Sequence, residues 1–84
     1  MTIQETLQER AQQHGPFEED ATYACRLRNV YHHKRLQMSY SHLMALDMIC
    51  TKIARILSGD PYHEDHWQDI AGYALLGKEV KRDV

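Results

Sequence analysis

The densest run of reactive side chains in the chain is His63-Glu64-Asp65-His66-Trp67-Gln68-Asp69-Ile70-Ala71-Gly72-Tyr73. At a helical period, Asp65, Asp69, Gly72, Tyr73 and Leu76 share one face, and Trp67, Ile70, Ala71 and Ala74 form an apolar stripe beside it. Carboxylates four residues apart repel each other slightly, and a divalent cation, a basic partner or solvent relieves that repulsion. Asp65 and Asp69 are therefore candidate metal ligands. Lys52 and Arg55 are basic residues on an otherwise apolar segment. They read either as a clamp on a phosphate group or as snorkelling side chains that cover hydrophobic surface and pair with Asp65 and Asp69. Gly72 costs roughly 1 kcal/mol relative to alanine inside a helix, so close approach of another helix or of a ligand should offset it.

Other chemistries fit less well. His63-Glu64-Asp65-His66 approaches a zinc-protease helix motif, but that motif needs histidines at i and i+4, and Trp67 occupies the second position. His63 and His66 could hold a metal together with Asp69, although the sequence places no third soft ligand. There is no glycine-rich phosphate loop, no GxSxG and no Cys-His pair at a recognisable spacing, so no nucleophile is assigned.

The elements that must position these groups read as four helices. Thr2 caps the first, with Glu5 placed as in a capping box, and Ile3, Leu7 and Ala11 form its narrow apolar stripe as far as His14. Gly15-Pro16 breaks the chain and Pro16 opens the second helix. Glu18, Glu19 and Asp20 then lie in a first turn where the helix dipole favours anions, which explains them without a metal. Ala21, Tyr23, Ala24, Leu27, Val30 and Tyr31 supply its buried side, and it is expected to run to about Arg35. Its basic end, from Arg26 to Arg35, is either a solvated helix terminus or a patch for phosphate or an acidic partner.

Ser39 or Ser41 caps the third helix. Leu43, Leu46, Ile49, Cys50, Ile53, Ile56 and Leu57 repeat at i, i+3, i+4, i+7, which predicts the core helix over 41–58. Ser58-Gly59-Asp60-Pro61 ends it, and the fourth helix is expected from about Glu64 to Lys81. If that short turn makes the two helices antiparallel neighbours, Arg55 lies near His63 and Asp65, and cations and carboxylates share one pocket. The predicted fold is an all-α, compact antiparallel four-helix domain spanning 1–84.

The totals bound partners. A chain of 84 residues buries only about 60% of its unfolded surface, so helix docking or self-association should supplement a thin core, and a homo-oligomer is expected. Ten basic against 12 acidic residues give a net charge of -2. Bulk electrostatics then offers nucleic acid nothing, and any phosphate contact is local. Cys25 and Cys50 are too few and too far apart for a disulfide framework, which fits a reducing cytosol. No apolar run approaches the ~18 residues of a membrane span and the N-terminus lacks a signal-peptide core, so a cytoplasmic protein with no membrane partner is expected.

With Glu9-Arg10, Gly15-Pro16-Phe17, Lys52-Ile53-Ala54-Arg55 and His63-x-Asp65-x-x-x-Asp69-Ile70-Ala71-Gly72-Tyr73 in order, most of the chain resembles small phage-type helical domains. More distantly it is similar to the all-α nucleoside-triphosphate pyrophosphohydrolases of the MazG and dimeric dUTPase type. Those enzymes bind magnesium with acidic residues on facing helices. The resemblance implies a nucleotide or phosphorylated small molecule as ligand, Mg2+ on Asp65 and Asp69, phosphate on Lys52 and Arg55 beside His63, and a base stacked on Trp67 or Tyr73. The enzymes' Glu-Glu-x-x-Glu motif would place an acid at position 22, where this chain has Thr22. The alternative it implies is a non-catalytic phage protein in a bacterial host's cytoplasm, sequestering a nucleotide signal or binding a host protein.

Overall fold

The computed structural model describes residues 1–82, and among them the chain is all-helical with no strand. Helix α1 spans Ile3–His14, α2 Phe17–Tyr31, α3 Tyr40–Ser58 and α4 Glu64–Glu79, with a 3-10 helix at His32–Gln37 between α2 and α3. Local chemistry sets most boundaries. The Thr2 hydroxyl accepts from the Glu5 amide, and the Ser39 hydroxyl accepts from the His42 amide, so both helices begin where an oxygen satisfies a free N–H. Helix α2 ends four residues short of the expected Arg35. His32, His33, Lys34 and Arg35 offer no apolar residue to a neighbour, and the chain tightens into the 3-10 turn there, with Arg35 donating to the His32 carbonyl.

Helix α3 is the central element, packed against both α2 and α4. Its fully buried residues are small: Ala45, Cys50 and Ala54, joined by Ala24 of α2. Ala45 lies against Gly77, where a β-carbon would be 3.7 Å from the alanine methyl, so α3 and α4 cross on their smallest side chains. The larger residues of the expected stripe flank these crossings half-buried, and Leu57 is 62% exposed.

On α4 the inward face is His66, Ile70, Tyr73 and Gly77 rather than the expected Trp67, Ile70, Ala71 and Ala74, three of which are exposed. A second polar network ties α2 to α3. Tyr31 donates to the Asp47 carboxylate, and Arg28 donates to the Thr51 hydroxyl at 3.0 Å, which removes Arg28 from the free basic patch. Burial and then the bond to Asp47 push the Tyr31 phenol well above its ordinary range.

The expected compactness does not hold. The molecule measures 50 × 23 × 23 Å, because α1 buries none of its residues and is tied down at its C-terminal end. No helix among the described residues is long and apolar enough to cross a membrane.

Candidate functional site

Two glycines build the site by letting two chain reversals touch. Gly15 caps α1 at φ 81°, a left-handed value that other residues adopt only with strain, and a β-carbon there would collide with the Ser58 carbonyl. Gly59 caps α3 and faces back, where a β-carbon would stand 2.5 Å from the Gln13 carbonyl oxygen. The Asp60 amide donates to that same oxygen at 3.3 Å. The ends of α1 and α3 and the starts of α2 and α4 therefore converge.

Three histidines fill the junction. His66 is 1% exposed, the largest fully buried side chain among the described residues. Its Nε2 lies 3.1 Å from the Gln13 carbonyl oxygen and 3.2 Å from His14 Nδ1. A carbonyl only accepts, so His66 Nε2 carries the proton and His14 Nδ1 presents a lone pair. His63 completes the group, its ring centroid 4.6 Å from that of His66. Protonating His14 would set N–H against N–H. Burial, followed by the positive fields of Arg55, His66, Lys52 and His63, lowers the His14 pKa to about 4.

Around the histidines lie two interhelical ion pairs. Lys52 Nζ meets Asp69 Oδ2 at 3.0 Å, with the lysine side chain 12% exposed and the aspartate 46%. The bond to Lys52 holds the Asp69 carboxyl below its usual range. Arg55 Nε stands 3.7 Å from Asp20 Oδ2, too far for a hydrogen bond, and Arg55 Nε and Asp20 Oδ1 are both buried without a partner. Burial outweighs the arginine and raises the Asp20 carboxyl above its ordinary value. Arg55, Asp20, Arg10, His14 and Phe17 line a pocket of about 540 Å³ between α1 and α2.

The structure thus gathers Lys52, Arg55 and His63 of the expected site, together with Asp69. Asp65 sits at the rim, its side chain 77% exposed and 3.8 Å from His63. The Trp67 indole donates to the Pro61 carbonyl at 2.7 Å and fastens the turn between α3 and α4. Tyr73 lines shallow pockets with Met44, Leu76 and Asp69, and neither Lys52 nor Arg55 lines any of them.

Magnesium prefers several oxygen ligands and no ammonium among them. As arranged, each carboxylate of the pair faces a nitrogen partner, Asp69 the Lys52 ammonium at hydrogen-bond distance and Asp65 the His63 ring. Among the described residues no group of three or more His, Cys, Asp or Glu side chains converges to hold a metal ion.

His14, Asp20 and Arg10 were not legible as site residues. Asp20 reads as a helix-capping acid, and Arg10 enters only as part of the Glu9-Arg10 match, with no role attached. For His14 the one sequence signal was its place directly before Gly15, since a glycine admits another backbone and buries what precedes it.

No curated protein and no solved structure matches the chain. A family described as a domain of unknown function (DUF6378) matches over residues 2–81, and the chain belongs to that family.

Proposed function

We propose that this domain binds a phosphorylated small molecule of nucleotide class in the pocket between α1 and α2, and that it binds without turning the ligand over. The observation that carries the reading is the Arg55 guanidinium in the wall of an open pocket, its side chain 30% exposed and its Nε 3.7 Å from Asp20, beyond hydrogen-bond distance. A guanidinium presents five N–H donors in a fork suited to an anionic ligand. Arg10 adds a second guanidinium for the phosphate, and the Phe17 ring, 82% exposed, offers a face to the ligand's base. Asp20, opposite in charge, suits an amino or hydroxyl hydrogen of the ligand.

The reading takes α3 and α4 as antiparallel neighbours, which the pairings Lys52 with Asp69 and His42 with the Gly77 carbonyl support. Lys52 stands behind the pocket as the partner of Asp69, and magnesium enters only as the counter-ion that a nucleotide carries. Binding is favoured over hydrolysis because Thr22, where the pyrophosphohydrolases would have an acid, donates to the Glu18 carbonyl as an ordinary helix residue. A cytoplasmic setting suits such a ligand. Self-association belongs to the same proposal, and docking on a host protein remains the alternative that the exposed Leu57, Tyr62 and Val30 support.

Calorimetric titration with a nucleoside diphosphate and with pyrophosphate, each with and without magnesium, tests the reading. Arg55→Met should weaken binding at least about tenfold, a change of about 1.4 kcal/mol. Wild-type protein that takes up neither probe would refute it.

A further inference from the structure

Two shallow pockets on α3 and α4 run into one another, because both are lined by Tyr73 and Leu76. Tyr40 and Met44 border one of them, and Gly72 and Leu75 border the other. Tyr40, Met44, Leu75 and Leu76 are all more than half exposed. We propose that this strip is where a second copy of the chain docks, with α4 lying against its symmetry mate across Gly72.

Three independent observations point to a second copy. The first is area. The described surface is 6806 Å², whereas a monomer of 9.9 kDa is expected to expose about 5,200 Å². The excess of about 1,600 Å², to which the projecting α1 contributes together with the strip, is of the size that each subunit of a permanent homodimer hides, roughly 1,000–2,500 Å².

The second is Gly72 itself. It sits inside α4, where glycine weakens a helix, yet a β-carbon there would meet nothing among the described residues within 4 Å. No contact among the described residues calls for a glycine at this position. A second helix packed backbone to backbone does. The third is charge. Among the described residues Asp69 is the one carboxylate or base lining the strip, and Lys52 already engages it. Two copies of the same strip therefore meet about a twofold axis without like-charge repulsion.

Sedimentation equilibrium on the full chain between about 1 and 100 µM should give a dimer dissociating at or below about 1 µM. Leu76→Glu should raise that dissociation constant at least about 100-fold while the far-ultraviolet circular dichroism stays helical. Leu57→Glu, as exposed on α3 but outside both pockets, should leave it unchanged. Gly72→Ala supplies a test by sign, should Leu76→Glu unfold. On an open helix face it raises the melting temperature, whereas across a close dyad it lowers the melting temperature of the dimer and weakens association. Wild-type protein that stays monomeric at about 100 µM overturns the proposal and leaves the strip to a different protein. A dimer indifferent to Leu76→Glu, one broken by Leu57→Glu, or a Gly72→Ala dimer that melts higher overturns it as well.

Discussion

Acid should destabilise this protein through His14. In the folded chain that imidazole is held neutral, with a pKa of about 4 against 6.5 when unfolded. Arg55 and Lys52 of α3, with His63 and His66 at the start of α4, all disfavour its proton. Because the folded pKa is depressed, the stability His14 contributes is complete above pH 6.5 and is lost as the pH falls from there through 4. Linkage over that interval gives about 2 kcal/mol at pH 5, and partial exposure of the ring reduces it to about 1–2 kcal/mol. That is a substantial share of the roughly 4–13 kcal/mol expected for a domain of this length.

The matched variant is His14→Gln, which keeps an acceptor for the His66 N–H and carries no charge at any pH. Urea unfolding followed by helical circular dichroism at pH 7 and pH 5 gives the two differences. Wild type should lose about 1–2 kcal/mol more than the variant on acidification. Equal losses would show that His14 does not titrate against the fold, and the donor and acceptor roles assigned at the junction would be wrong.

Further expectations follow from the same geometry. Asp69→Asn should lower the melting temperature more than Lys52→Met, because it leaves a lysine that is 12% exposed without its partner, whereas the aspartate left by the second change is 46% exposed and readily solvated; thermal melts that rank them the other way would refute the pairing as a structural one. Gly15→Ala should cost at least about 3 kcal/mol in denaturant titration, combining left-handed backbone strain with a collision at the Ser58 carbonyl. Ala54→Leu should cost about 1–3 kcal/mol, since Ala54 is 0% exposed and the helices meet there without spare volume. A phosphorylated ligand in the Arg55 pocket should offset the positive field on His14 and raise its pKa, so binding near pH 5 should take up protons; titration calorimetry in buffers of different ionisation enthalpy reads this directly, and zero uptake places the ligand elsewhere.

The helices were largely legible because their ends are written in adjacent residues. Thr2 with Glu5, Gly15 before Pro16, Ser39 before α3 and Gly59 after it each act over a few positions. The pairing of Lys52 with Asp69 was also open to a reader of the sequence, as the structural half of two alternatives. What escaped depends on helix crossings. The periodic Leu and Ile stripe of α3 marks a buried side, but Ala45 and Ala54 decide how close neighbours come, and small residues leave little signal. His66 reads as one half of a failed metal motif and is in fact the buried hub, because its partner is a backbone carbonyl 53 residues away. Tyr73 and Lys52 line no common pocket, although Asp69 both borders the strip and engages Lys52, since Tyr73 lies one helical turn farther along α4.

The way α1 is attached governs the order in which the molecule comes apart. It buries no residue of its own and is held by Gln13, His14 and Gly15 against the ends of α3 and α4. The α2–α3–α4 unit keeps its own crossings when those contacts open, so α1 is the natural first unit to detach in native-state hydrogen exchange. Leu7, Arg10 and Ala11 leave with it, and they are one wall of the pocket. For the ligand proposed above, occupancy of the pocket and attachment of α1 would be one equilibrium. A ligand's apparent affinity scales with the fraction of molecules in which α1 is docked, and saturating ligand should slow amide exchange along α1 first.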